Sequence, residues 1–267
     1  MTQLDRLHSV QMKIAREVKR ICEKNDIRYF LEAGTMLGAV RHKGFIPWDD
    51  DMDFGMLKED YDRFLEIAPS ELSEEFFLDN YENNDEYGLV FSKVRLKNTI
   101  FIELKGNEKA KHNEIFVDIF SYYPIADKKL TRKFEAKVMT IIAHAIMSKS
   151  GYKVWKGDGL LKRLKFIPTD IIGMVLTKKR MFSIINNYYN KHKNTRCVCL
   201  HGGSFYDSII MDKNLFKEYV DVEFEKEVFK IPAAYDEILR ICYGDYMTLP
   251  PEEDRVTHGY VKLEFEK

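Results

Sequence analysis

Leu4, Leu7, Ile14, Val18 and Ile21 recur at helical spacing, and the polar pair Asn25-Asp26 closes the pattern. This predicts an amphipathic helix over residues 3–24. Ile27–Leu31 then reads as a short strand, followed by a Gly34-Thr35 turn and a short helix through about Arg41. Gly44 ends that helix, and Pro47 forces an extended approach to the acidic run that follows. Lys58–Ala68 places Tyr61, Phe64, Leu65 and Ala68 on one helical face. Three strand-like runs come next: Leu89–Leu96, Thr99–Leu104 and Ile115–Phe120. From about Leu130 to Tyr189 the pattern is mostly helical. Cys197–Leu200 and Val228–Ile231 read as short strands, and Pro232–Tyr243 as a last helix with proline at its start. No internal repeat, low-complexity tract or Gly/Ser linker appears. The expectation is an α+β chain in two parts packed as one unit: a core over residues 1–125 and a mainly helical region with short strands over 126–267.

The acidic run carries the chemistry. Aspartates stand at 49, 50, 51 and 53, with Met52 between the last two and Phe54 after them. That alternation reads as a strand entering a core, with Asp51 and Asp53 projecting from one face. Adjacent carboxylates repel each other unless a cation sits between them. A hard divalent ion, Mg²⁺ or Mn²⁺, fits such a pair and completes its shell with water and substrate phosphates. The feature therefore points to phosphoryl-group chemistry. A solvated acidic loop fits poorly, because Ile46, Pro47, Trp48, Met52, Phe54 and Met56 surround the run. An EF-hand would need Gly where Phe54 stands and Glu where Asp60 stands. An Asp-x-Asp nucleotide-sugar glycosyltransferase is left open by spacing alone. Asp49 and Asp50 precede the alternation, so they are expected to shape the loop, with Trp48 packed beneath it.

Asp118 is the one charge in the apolar run Phe116–Phe120, and a buried aspartate needs a metal, an arginine or backbone donors. Beside the Asp51–Asp53 strand it would complete a carboxylate triad, as a metal ligand and general base. As the alternative, Asp118 is salt-bridged within the core. Gly34 and Thr35 offer backbone N–H groups and a hydroxyl at a helix N-terminus, a cradle for phosphate. Arg41, with Lys93 and Arg95 on one face of a later strand, supplies candidate cations for donor phosphates. Cys197, Cys199 and His201 alternate and invite a zinc reading, but no fourth ligand stands at a familiar spacing.

Composition narrows the classes. With 45% hydrophobic and 13% aromatic residues, the 267-residue chain can build a sizeable core. A net charge of -1 gives no reason to expect a nucleic-acid partner. The four cysteines lack a disulfide framework, the N-terminus lacks a signal-peptide core, and no run approaches the about 20 apolar residues of a membrane span. The expectation is a soluble cytoplasmic protein. Between Lys149 and Arg180, basic residues interleave with Tyr152, Trp155, Phe166 and Ile167, a pattern that fits either an ordinary solvated helical face with its apolar side in the core or peripheral contact with the inner face of a membrane.

The run Gly34-Thr-Met-Leu-Gly-Ala-Val-Arg41, followed by Gly44-Phe-Ile-Pro-Trp-Asp-Asp-Asp-Met-Asp53, resembles the signature of the LicD family, whose wider group includes fukutin and fukutin-related protein. The segment Tyr243-Gly-Asp-Tyr-Met-Thr-Leu-Pro-Pro-Glu-Glu-Asp-Arg-Val-Thr-His258 is similar to that family's closing motif. The resemblance implies a nucleotidyltransferase-like mixed sheet with flanking helices. In it Thr35 takes the place of the usual serine, Asp51 and Asp53 match the metal pair, and Asp118 matches the third carboxylate. It further implies transfer of a phospho-alcohol, phosphocholine above all, from a CDP-linked donor with release of CMP. The acceptor would be a hydroxyl of a cell-surface glycan (lipopolysaccharide, teichoic acid or capsule) or its lipid-linked precursor. A catalytically inactive nucleotide-binding member is the remaining alternative. The zinc-binding insertion of fukutin-related protein has no clear counterpart here.

Overall fold

In the computed structural model, which describes residues 1–104, 110–152, 167–200, 209–255 and 257–265, the first apolar stripe forms one helix, α1 (Gln3–Lys24). Thr2 and Asp5 cap its start reciprocally, and Leu7, Ile14, Val18 and Ile21 are fully buried. The chain then closes α1 rather than entering a strand at once. Ile27 N–H donates to Cys22 O, and Asp26 takes a positive φ of 51°. The expected strand over Ile27–Leu31 is thereby cut to β1 (Phe30–Leu31).

A seven-stranded mixed sheet carries the core. Its main path runs β1, β2 (Asp53–Leu57), β6 (Phe116–Pro124), β4 (Ser92–Leu96) and β3 (Phe76–Asp79). β7 (Cys197–Leu200) pairs with the later part of β6, and β8 (Ile210–Asp212) with β7. β2 lies parallel to β6, with Asp53 opposite Asp118, while the other pairs are antiparallel. A parallel pair needs a long crossover, and residues 58–115 supply it through α3 (Lys58–Glu71) and the β3–β4 pair. The fold is thus α+β with a nucleotidyltransferase-like mixed sheet, as the sequence implies.

Two small antiparallel pairs frame the site. β9 (Tyr219–Phe224) and β10 (Glu227–Pro232) form a hairpin, and β11 (Tyr260–Glu264) pairs with β5 (Ile100–Glu103). Pro232 therefore ends a strand opposite Tyr219, and the last helix, α7 (Tyr235–Tyr243), starts three residues later than the proline suggests. β3 was not legible from the pattern, being four residues long and lacking clean alternation. A second apolar cluster joins α4 (Lys129–Lys149) to α6 (Lys178–Lys191), with Met139, Ile146, Met181 and Tyr189 packed on Tyr123 and Ile125. α5 (Ile167–Val175) lies between them in sequence and exposes Ile171, Met174 and Val175.

Candidate active site

The strand-to-helix turn after β1 falls at Glu32 and Ala33, two residues earlier than the Gly34-Thr35 pair suggests. Ala33 opens α2 (Ala33–His42) at φ 46°, a conformation that L-residues rarely hold. Gly34 and Thr35 consequently sit inside the first helical turn. A Cβ at Gly34 would lie 2.9 Å from Asp49 Oδ2, so the glycine lets the acidic loop press against the helix N-terminus. Buried Thr35 accepts the Asp53 N–H on its hydroxyl at 2.9 Å. This contact fixes where β2 begins.

The ladder starts at Asp53, so Asp51 and Met52 precede the strand instead of lying within it. The expected burial of Met52 and Phe54 holds, both being fully enclosed. Asp53 faces Asp118 in register on the parallel strand, both nearly buried. Burial, then Asp51, Asp118, Asp49 and Glu32, push the Asp53 carboxyl well above the ordinary carboxylate range. Burial raises Asp118 to about 6, against the opposing pull of Lys93.

α1 holds the loop backbone from behind, where His8 Nε2 bonds Asp49 O at 2.8 Å and Gln11 Nε2 donates to Asp50 O at 2.9 Å. The two leading aspartates then part company. Asp50 turns its carboxylate to the C-terminal segment, accepting the N–H groups of His258 at 3.1 Å and Gly259 at 2.9 Å. That fits the expected role of bonding backbone donors, though the donors come from more than 200 residues away. Asp49 instead joins Asp51. Among the described residues, ligand atoms of Asp49, Asp51 and His258 lie within 4.8 Å of one another. Burial, then Asp51, lifts Asp49 to about 8. His258 Nδ1 stands 3.2 Å from Asp51 Oδ2, and its bonds to Asp50 and Asp51 raise it to about 11. Asp50→Ala removes the acceptor for two N–H groups at about 1–3 kcal/mol each, so a melting-temperature drop of several degrees is expected, with His258 loosened.

The two strand cations are engaged by protein carboxylates. Lys93 Nζ donates to Asp118 Oδ1 at 2.8 Å and lies over the Phe116 ring, 3.1 Å from its centroid. The salt-bridged alternative for Asp118 is therefore realised in part, with one carboxylate oxygen held by Lys93. Arg95 pairs with buried Asp79 at 2.7 Å and with Glu114 O at 2.8 Å. Buried and ion-paired with Asp79, this guanidinium is committed to the core and not offered to a phosphate. Arg95→Leu is expected to cost about 3–5 kcal/mol of stability by stranding Asp79, with donor KM unchanged in the folded fraction. Arg41 differs, donating Nη1 to Tyr246 O at 2.8 Å and Nε to His42 Nε2 at 2.9 Å. Trp48 packs partly buried against the core, its ring under Arg255.

Sequence reasoning missed three contributors. The 49, 51, 53 spacing carried a signal for Asp49 that the strand reading set aside. His258 needed the closing motif to be placed in space. Glu32 is a buried carboxyl raised to about 7 by burial, with Oε1 accepting from Tyr122 O–H at 2.8 Å. Its Oε2 lies 2.9 Å from where a Cβ on Gly55 would stand, and Phe30 fills the rest of that space. Cys197 and Cys199 lie on β7, the former touched by Arg132 and the latter fully buried, while His201 lies outside the described residues. Residues 153–166 of the basic stretch lie outside them too. Among the described residues no helix is long and apolar enough to cross a membrane.

A family model described as LicD/FKTN/FKRP, nucleotidyltransferase domain, matches residues 26–146, which span α2, the acidic loop and both carboxylate strands. The chain carries a LicD-family nucleotidyltransferase domain. Similarity to a relative extends well past the domain's end. The lipopolysaccharide cholinephosphotransferase LicD of Haemophilus influenzae is 29% identical over 252 residues, 89% of each chain. The ribitol 5-phosphate transferases FKRP of mouse and human are 32% and 33% identical over 110 residues, 41% of this chain and 20% of theirs. The LicD-family domain ends within α4, so His258 and Arg255 come to its site from outside the matched residues.

Proposed function

We propose that this chain transfers a phospho-alcohol, phosphocholine first among the candidates, from a CDP-linked donor to a glycan hydroxyl, releasing CMP. The observation that carries the reading is the convergence of Asp49 and Asp51 with His258, beside Asp53 in register with Asp118. Similarity that covers 89% of both chains to a cholinephosphotransferase, against 41% of this chain to the ribitol 5-phosphate transferases, supports phosphocholine over ribitol phosphate. The donor set suits Mg²⁺ or Mn²⁺: carboxylate oxygens at close quarters, with carboxyls raised first by burial and then by one another, both of which a bound cation would offset. Asp51 and Asp53, joined by Asp49, would hold the ion, which supplies charge neutralisation for donor phosphates when bound, with Asp118 beside them as the base.

The protein's own groups do the rest. The Gly34-Thr35 end of α2 presents first-turn N–H groups toward phosphate oxygens beside Asp49. Lys93 pins one oxygen of Asp118 and leaves the other to accept the acceptor hydroxyl's proton. With its pKa raised to about 6, Asp118 is a better base than an ordinary aspartate and still ionised at neutral pH. The deprotonated hydroxyl attacks the phosphorus bearing the alcohol, and the bond to CMP breaks in line.

A panel of CDP-linked choline, ethanolamine and ribitol, assayed for CMP release with glycan acceptors in Mg²⁺, tests this. The expected product is a phosphodiester visible by phosphorus NMR. Release of a nucleoside diphosphate with a phosphorus-free product would replace the reading with glycosyl transfer. Absence of turnover with every donor would leave a nucleotide-binding protein.

A further inference from the structure

Two arginines from opposite ends of the chain flank Trp48 beside the acidic loop, and neither has a carboxylate within hydrogen-bond distance among the described residues. Arg41 closes α2 and gives its guanidinium to two neutral acceptors, Tyr246 O and His42 Nε2. Arg255, in the closing motif, donates Nε to Pro250 O at 3.0 Å and stacks over Trp48, 5.2 Å from the ring centroid. His42 meets the same indole edge-on at 6.4 Å. Among the described residues no carboxylate lies within hydrogen-bond distance of either guanidinium; the nearest, exposed Glu252, is 3.8 Å from Arg255 Nη1. The two charges sense each other, since burial and then Arg255 lower the pKa of Arg41.

Two cations held together on neutral acceptors cost free energy unless an anion joins them. Their donors are fixed by carbonyls and a ring face, so a guest meets a preorganised fork. The pair also adjoins the carboxylates along the chain on both sides. Trp48 precedes Asp49, and His258, three residues after Arg255, contacts Asp51. We propose that Arg41 and Arg255 clamp a phosphate oxyanion next to the carboxylate cluster, with Arg255 as a phosphate-binding residue supplied by the C-terminal segment. This deepens the transfer reading and rests on it only for which phosphate is held. A diphosphate is the matching guest, with one phosphate toward the carboxylate-bound cation and the other between the arginines.

Inorganic pyrophosphate is the probe, titrated calorimetrically in Mg²⁺ and again in chelator. Arg255→Gln and Arg41→Gln should each weaken binding by about tenfold or more in Mg²⁺, while Arg255→Lys, keeping charge without the planar fork, falls between. Melting curves run alongside, and if Arg255→Gln unfolds, Arg255→Lys carries the test. Wild-type affinity in both Arg255 variants overturns the clamp, as does failure of the wild type to bind pyrophosphate in Mg²⁺. In the transfer assay, Arg255→Gln should raise donor KM if the phosphate is the donor's, and acceptor KM if it belongs to a lipid-linked acceptor. Loss of pyrophosphate binding in the variants with no CDP-linked donor turned over keeps the clamp and discards the donor. Transfer with both KM values unchanged in Arg255→Gln does the reverse.

Discussion

Asp53→Asn should reduce transfer by at least about 10²–10³-fold while leaving the melting temperature in chelator equal to or above that of the wild type. The two halves of that result have one cause. Asp53 is nearly buried, and the ionised form is opposed first by burial and then by Asp51, Asp118, Asp49 and Glu32. Asparagine removes a charge the fold disfavours and keeps the backbone N–H that Thr35 accepts. The same substitution removes a negative oxygen from the set proposed to hold the divalent ion. Most core substitutions lower stability, so lost activity without lost stability separates a site carboxylate from a structural one. Asp51→Asn should behave alike in activity. Asp49→Asn should follow it more closely than Asp50→Asn, because Asp49 faces Asp51 and Asp50 faces the C-terminal backbone. Full activity in Asp53→Asn would sink the metal assignment. A large loss of melting temperature instead would make Asp53 a structural residue.

What the chain disclosed in advance was what local pattern encodes. The stripe of α1 was readable to the residue because its period is long and its caps are polar. The inward course of Met52 and Phe54 was readable from alternation; the solitary charge of Asp118 showed only that it needs a partner, and the strand register sets Asp53 opposite it while Lys93 pairs with it. Failures came where a distant contact decides. Ile27 looks like strand, but Cys22 O captures its N–H. Asp51 looks like strand, yet Thr35 sets the start of β2 two residues later. Lys93 and Arg95 share a face that suggests an open cationic surface. Asp118 and Asp79 both lie opposite Lys93 on the flanking strands; Asp118 pairs with Lys93 and Asp79 reaches diagonally to Arg95. His258 and Arg255 are more than 200 residues from Asp50 and Arg41, and only β11 against β5 brings their segment to the loop. No period or local spacing contains that pairing.

In chelator, the protein should lose stability as pH rises from about 6.5 to 8.5, and Mg²⁺ should flatten the slope. Glu32 and Asp49 are raised in the folded state to about 7 and about 8, and Asp53 is also raised. Through that window these groups keep protons that the unfolded chain has already lost. Stability therefore falls with pH by about 1.4 kcal/mol per pH unit for each proton retained. His258 acts in the same direction. Its folded value, about 11, lies above its ordinary 6.5, so its contribution is complete below 6.5 and fades toward 11, weakened by its exposure. His8, His42 and His144 are lowered and oppose the trend mainly below 6.5, with a remnant that fades over the first pH unit of the window. At about 2–4 °C per kcal/mol for domains somewhat smaller than this one, the fall is several degrees and readily seen by scanning calorimetry. A divalent ion on the carboxylates favours their ionised forms and binds only the folded chain, so it both raises the curve and removes its slope. Asp49→Asn should flatten the chelator curve without added metal, since it deletes a carboxyl raised to about 8. A melting temperature that holds level or rises over this window in chelator would mean the carboxylates are not repelling one another, and the argument for a cation between them would fall.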